Sequence, residues 1–563
     1  MAVNDKNKFT KFKEEEIHDE FSKPNISLNS NENVNVKESE LGEQKELNEK
    51  HIINKLIDDM GFSRYHFLVF SLTALILISG GVQELMLAIV LSMINSKENL
   101  NTYHLAMITT SEYIGYAMAN LFVNFLPYCM TNKTAIQVFT IMCLIFTGLS
   151  IFLHNFYIAY TNRFFIGVCL GILDILLYLN LIEICPTRIR GFIGSFILLF
   201  FPLGQFIIAI ICYVQLVIFK ERPDIYFKIL LLIPYTILAI LVLSLLPFIL
   251  NSVRELAATN QVKESVEMVE KISKFNKNES FLAQKEGIIK QLIRQNSDKN
   301  MERKKTKTAE LESKVKIKKS KTSFIGNPNL SIESIMDHNS HINEENKHDG
   351  IRHISTISTF DKIQMLFSKK FLKYTVILSM MAAMTGFIFN GIFFMLPTTA
   401  PKLNHQTFIE VIISVSLELP SNFLVALAIE AKVFGRLKII RFGYFITILV
   451  CISCLAIGKV YLIIECLLKF FITIPNNVII VYTSEIYDGE IRTLGLSFIT
   501  FWKRFAIILS PFVVTYFEYQ IGLIGPFYIF LVFTVFSFSL SLLIDYETRG
   551  VALDEMEIIK KPI

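Results

Sequence analysis

Two groups of six apolar stretches, separated by a long polar one, constrain this chain more than any other feature. A helix that crosses about 30 Å of hydrocarbon needs about 20 largely apolar residues, and it must satisfy its backbone amides internally. Stretches of that kind predict spans over 67–93, 103–127, 134–153, 156–182, 191–217 and 225–250. Six more follow over 373–397, 406–430, 439–457, 460–483, 493–517 and 524–544. Of the 563 residues, 52% are hydrophobic and 19% charged, against about 25% charged in ordinary soluble domains. Phe occurs 49 times and Trp once, at Trp502, so interfacial aromatic belts rest on Tyr and Phe. The expected fold class is an all-α membrane protein with twelve transmembrane helices in two six-helix halves.

The polar segments set the remaining boundaries. Residues 1–65 lack a basic region followed by an apolar run, so no cleaved signal peptide is expected, and this tail is read as cytoplasmic and mostly disordered. The halves then occupy 66–250 and 372–545, with a cytoplasmic linker over 251–371 and a cytoplasmic tail over 546–563. The linker opens with a helical pattern (Val262, Val266, Val269, Ile272) and becomes Lys-rich between Lys299 and Lys321. So polar a segment cannot offset its ordering entropy, and most of it is expected to be disordered; its polybasic part suits an anionic lipid surface.

Orientation follows from basic residues in short loops. With both termini cytoplasmic, the inner loops carry Lys133, Arg188, Arg190, Lys432, Arg436, Lys438, Arg441 and Arg492, and the outer loops Lys97, Lys220, Arg222, Lys402 and Lys459. The net charge of +5 is concentrated in the linker and short loops, which excludes a nucleic-acid footprint. All eight cysteines lie in or beside apolar segments without metal spacing and read as packing residues. No arrangement of nucleophile, His and acid, no metal cluster and no phosphate-cradling loop is present, so neither an enzyme nor a cofactor is expected.

An internal repeat ties the halves together. Glu183-Ile184, Ile189-Arg190 and Ser195-Phe196-Ile197 recur, at a constant offset of 302, as Glu485-Ile486, Ile491-Arg492 and Ser497-Phe498-Ile499. Each copy ends the fourth span of its half and enters the fifth, as in transporters built from two halves around one cavity.

Several motifs add a family resemblance. Asp59-Met60-Gly61-Phe62-Ser63-Arg64-Tyr65, Glu84, Arg163-x-x-x-Gly167-x-x-x-Gly171 and Glu183-x-x-Pro186-x-x-x-Arg190-Gly191 lie in the first half. Asn251-Ser252-Val253-Arg254 comes directly after it. The second half has Glu418-Leu419-Pro420, Gly435-Arg436, Tyr482-Thr483-x-Glu485-x-Tyr487, Arg492, Arg504, Pro511 and Glu547-Thr548-Arg549-Gly550. Over residues 58 to 556, linker excluded, the chain resembles the major facilitator superfamily, in its branch related to synaptic vesicle glycoprotein 2 and the organic cation and anion carriers. The resemblance implies alternating access, with Arg163, Glu183, Arg190, Gly435, Arg436, Glu485 and Arg492 as gating and inner-loop residues. One loop departs from it. Where the family carries Gly-x-x-x-Asp-x-x-Gly-Arg-Lys between spans 2 and 3, this chain has Asn124, Tyr128, Thr131, Asn132 and Lys133.

Ionisable residues inside spans are costly and mark function. Glu84, Glu112, Asp174, Asn390, Lys469 and Arg504 are the candidates for contact with substrate or proton. Glu84 suits a cation, a proton or a buried base. Glu112 and Asp174 suit the cavity or a helix-to-helix bond. Glu465 and Lys469, four residues apart, are expected to neutralise each other, and Lys503 to snorkel on another side of its helix from Arg504. The reading is a monomeric plasma-membrane carrier, with an intracellular vesicle membrane as the alternative site. It would move a small organic ion, or a vitamin-like carboxylate such as pantothenate held by Arg504 and Lys469, with protons as a coupling ion. The alternative is a transporter-like sensor or vesicle-membrane interaction protein that does not translocate.

Overall fold

The computed structural model describes residues 52, 55–98, 102–150, 156–218, 236–258, 262–276, 287, 358–398, 405–431, 434–551 and 553. All lie in one compact unit, Ile52–Ile563. Among them the chain is helical and without strands, as spans that must satisfy their own amides require. The first half comprises α1 (Arg64–Glu98), α2 (Thr102–Phe122), α3 (Asn132–Ser150), α4 (Phe156–Ile184), α5 and α6. Helix α5 joins Arg190–Phe196, a 3₁₀ turn Ile197–Leu199 and Phe200–Ile218, and α6 is Thr236–Phe248. The second half comprises α7 (Leu372–Thr398), α8 (His405–Ile429), α9 (Arg436–Ile457), α10 (Leu462–Ile486), α11 (Arg492–Ile521) and α12 (Gly525–Leu542). Ten of these are long and apolar enough to cross a membrane, which makes the chain a multi-pass membrane protein. The expected beginning of the sixth span, 225–235, lies outside the described residues.

The two halves pack alike. Helix α2 lies against α4, α1 against α5 and α3 against α4, and α8 against α10, α7 against α11 and α9 against α10 repeat these pairings. The halves meet where α2 touches α11 and α5 touches α8. Close approach of α2 and α4 has a local cause. A Cβ on Gly167 would stand 2.0 Å from the Glu112 carbonyl oxygen, and one on Gly115 2.1 Å from that of Phe164, so only glycine lets these backbones touch. Polar side chains collect inside, Thr473, Asn476, Asn477 and Ser484 on α10 among them, while Leu424, Phe512 and Val532 are exposed on the outer surface. That is the distribution a lipid solvent selects.

Parts of the tail and linker pack on the first half, the helical pattern read at Val262 to Ile272 among them. Leu56 and Ile57 are buried in the core of the first half, and Asp58 accepts from the Thr187 backbone at 2.7 Å. Helix Val262–Phe275 buries Val266, Val269 and Ile272 in the same core. Its following residue, Asn276, accepts from the Tyr65 amide at 3.0 Å. A stripe of three apolar residues on an otherwise polar helix gives it one face to dock. A second linker helix, Thr359–Leu366, leads into α7. The Lys-rich stretch expected to be disordered, Lys299 to Lys321, and residues 1–51 lie outside the described residues.

Candidate functional site

At one end of the bundle, where α4, α8 and α10 finish and α5, α9 and α11 begin, buried charges cross between the halves. Arg190 reaches Glu485 at 3.4 Å and Arg492 reaches Glu183 at 3.2 Å, so the two copies of the repeated loop grip each other reciprocally. Arg436 adds bonds to Glu485 at 2.9 Å and Glu430 at 3.0 Å. The segment after α12 closes over this cluster. The Glu547 carboxylate accepts from the Arg436 and Leu437 amides at 2.9 and 3.1 Å, capping the positive end of α9. Thr548 donates to Glu485, and Arg190 donates to the Val551 carbonyl at 2.8 Å. Gly435, at φ +146, holds a backbone conformation that favours glycine, and a Cβ there would meet the Glu547 carboxylate.

Arg163 does not belong to this cluster. It lies 20 residues before Glu183 on the same helix, about 30 Å away at 1.5 Å per residue, and pairs with Glu112 at 3.3 Å. The second half repeats that pair. Lys469 meets Glu418 at 3.1 Å, donates to the Phe389 carbonyl at 3.2 Å and sits 3.5 Å from the centre of the Phe389 ring. Acid and base are 51 residues apart in both pairs, and each base is the eighth residue of its helix. The expected Glu465–Lys469 pairing is therefore overturned. A lone helical i,i+4 pair is worth only about 0.2–0.5 kcal/mol, and Lys469 faces inward to three acceptors instead. The common spacing of 51 is the signal in the sequence for these pairs; pairing Lys469 with Glu465 on its own helix passes over it.

Between these ion-pair layers a cavity opens at the seam of the halves. Its walls include Tyr116, Asn120 and Asp174 from the first half and Thr500, Lys503 and Arg504 from the second. Arg504 pairs with Asp174 across the seam at 3.5 Å and stacks on the Tyr116 ring at 3.8 Å. Lys503 turns toward the cavity instead of snorkelling away from it. The expectation missed this because a helical wheel gives direction around α11 but not which neighbour leaves room, and here Gly386 of α7 does. A Cβ at Gly386 would lie 2.7 Å from Lys503 Cγ.

Glu84 has neutral partners. Tyr113 donates to it, and Gln205 Nε2 donates at 2.9 Å. The Tyr113 hydroxyl also lies 3.3 Å from Asn390 Oδ1 of the other half, and Asn390 donates to Ser510 at 3.3 Å. Five of the six substrate or proton candidates thus meet at the seam or in a buried pair near it. Glu84 and Asn390 share a polar node, Asp174 and Arg504 line the cavity, and Glu112 is committed to Arg163. Lys469, the sixth, is committed to Glu418 within the second half.

A profile of the family described as sugar (and other) transporter matches residues 76–325. Among solved structures, the proton:xylose symporter XylE with 6-bromo-6-deoxy-D-glucose bound is similar over 88% of this chain and 99% of that one, with 16% identity and a TM-score of 0.63. A partially occluded inward-open form of XylE from E. coli is similar over 87% and 100%, with 14% identity and a TM-score of 0.58. FucP in the outward conformation is similar over 85% and 99%, with 14% identity and a TM-score of 0.52. Similarity at such identities establishes the fold, which is that of the major facilitators. No curated protein matches the chain by sequence, and the likeness to the organic-ion branch rests on sequence motifs.

Proposed function

We propose that this chain, with its major facilitator fold, is a carrier that moves a small organic solute by alternating access. One observation carries the reading: a mainly apolar cavity with Asp174, Lys503 and Arg504 on its wall lies at the seam of the halves, and reciprocal ion pairs between the same halves close one end of it. A solute touching both walls is released when the halves rock, and that motion must break Arg190–Glu485 and Arg492–Glu183. With both termini cytoplasmic, the closed end faces the cytoplasm. The working location is the plasma membrane and the working unit a monomer.

The solute is read as an organic ion. The pantothenate-like carboxylate remains within that class, but Arg504 and Lys469, the bases first assigned to it, are engaged by Asp174 and Glu418. Proton coupling is assigned to Glu84. Protonation there would weaken its bonds to Tyr113 and Gln205, and Tyr113 also touches Asn390 across the seam. Uptake by Glu84→Gln is expected to lose its dependence on external pH. Unchanged rate and pH profile in proteoliposomes would remove Glu84 from the mechanism.

One observation favours the non-translocating sensor. The loop between α2 and α3 is held by neutral contacts, Asn124 to Ser497 at 2.8 Å and Thr359 to the Tyr128 hydroxyl at 2.9 Å. Counterflow separates the readings: a carrier exchanges internal for external solute, and a sensor binds without exchange.

A further inference from the structure

Two groups on the cavity wall are left without partners by the packing around them. Lys503 makes no hydrogen bond and no ion pair among the described residues. Asp174 and Glu84 act on it electrostatically, but neither forms a salt bridge with it. Asn120 of α2 is 1% exposed, and neither its Oδ1 nor its Nδ2 meets a partner. Both residues line the same cavity, from opposite halves. Leaving a buried amide unsatisfied costs about 1–3 kcal/mol, and a lone ammonium in a membrane interior costs more. Such groups persist where a ligand completes them.

The charges on the wall choose the ligand. One carboxylate, Asp174, faces two bases, and Arg504 occupies it. A cation would meet the Lys503 ammonium, which no carboxylate contacts directly, and a neutral polyol would leave that charge without an ion pair. We propose that the cavity binds a small hydroxylated monocarboxylate, with Lys503 taking the carboxylate and Asn120 the hydroxyl or amide beside it. The cavity is narrow, about 80 Å³, which limits its occupant to a small solute. Gly386 positions the ammonium by making room for the lysine stem. Because Asn120 sits on α2 and Lys503 on α11, the solute bridges one of the pairs of helices through which the halves touch. This deepens the carrier reading and rests on it only for the steps after binding.

The test uses the purified full-length protein and matched probes: gluconate with glucose, pantothenate with panthenol, and choline. Binding is read by thermal shift in detergent and by calorimetry, and exchange by counterflow in proteoliposomes. The carboxylates are expected to bind and their neutral counterparts and choline not to. Lys503→Gln should weaken carboxylate binding about tenfold or more, the size of a lost charge-assisted hydrogen bond. Lys503→Arg should keep most of it, and Asn120→Ala should lower discrimination between hydroxylated and plain short carboxylates. Binding of glucose, panthenol or choline in preference to the acids overturns the proposal, as does unchanged carboxylate binding by Lys503→Gln or no binding of either acid. Lys503-dependent binding without counterflow leaves the site standing and removes the carrier. Counterflow of glucose alone does the reverse.

Discussion

The loops that enter α3 and α9 hold equivalent places in the two halves, yet they are fastened in different ways. At the start of α9, Arg436 is 1% exposed and bonds Glu485 and Glu430, while Glu547 caps the helix. At the start of α3, Asn132 and Lys133 stand instead, and Lys133 is half-buried without a hydrogen bond or ion pair among the described residues. Glu485 gathers Arg190, Arg436 and Thr548, whereas its counterpart Glu183 receives Arg492 and Ser252. More of the buried bonds at this end are thus made by the second half. Under the proposed alternating access, two like halves do not need two like latches, because one buried cluster is enough to bias a two-state equilibrium.

Breaking the stronger latch should have the largest effect. Arg436→Ala leaves the buried Glu485 with Arg190 and Thr548 alone, and removing one partner of a buried pair costs about 3–5 kcal/mol. A marked fall in thermal stability in detergent is expected, and a change within error of wild type would show that the cluster carries no load. Restoring the weaker latch comes next. Tyr128→Asp with Asn132→Arg, which returns the family's charges to the first half, should strengthen closure by about 1 kcal/mol or less, as partly exposed pairs do. Counterflow would then slow, and faster exchange would contradict the asymmetry. Lys133→Ala should do least, within about 0.5 kcal/mol. A loss comparable to that of Arg436→Ala would mean the two loops are equivalent after all.

Much of the arrangement was legible in the chain alone. The repeat of Glu183 and Arg190 as Glu485 and Arg492 marked the four residues that form the reciprocal bridges, because a duplicated acid and base related by a two-fold axis meet each other across it. The pairing of Lys469 was not legible. Sequence spacing reports which residues share a helix face, and the strongest partner of Lys469 lies on another helix, 51 residues earlier. Nor was the partner of Arg163 legible, since a motif names a residue without saying at which depth it pairs, here with Glu112.

By itself the sequence determined that this is a helical membrane protein of two related six-helix halves. Hydrocarbon admits few backbone solutions, and each apolar stretch of sufficient length must take one of them. Only the tertiary structure decided which charges are spent and which remain. Asp174 is spent on Arg504, Glu112 on Arg163 and Glu418 on Lys469, while Lys503 and Asn120 stay open to the cavity. That division depends on contacts between helices far apart in the chain, set by the few glycines that let two backbones or a lysine stem draw near.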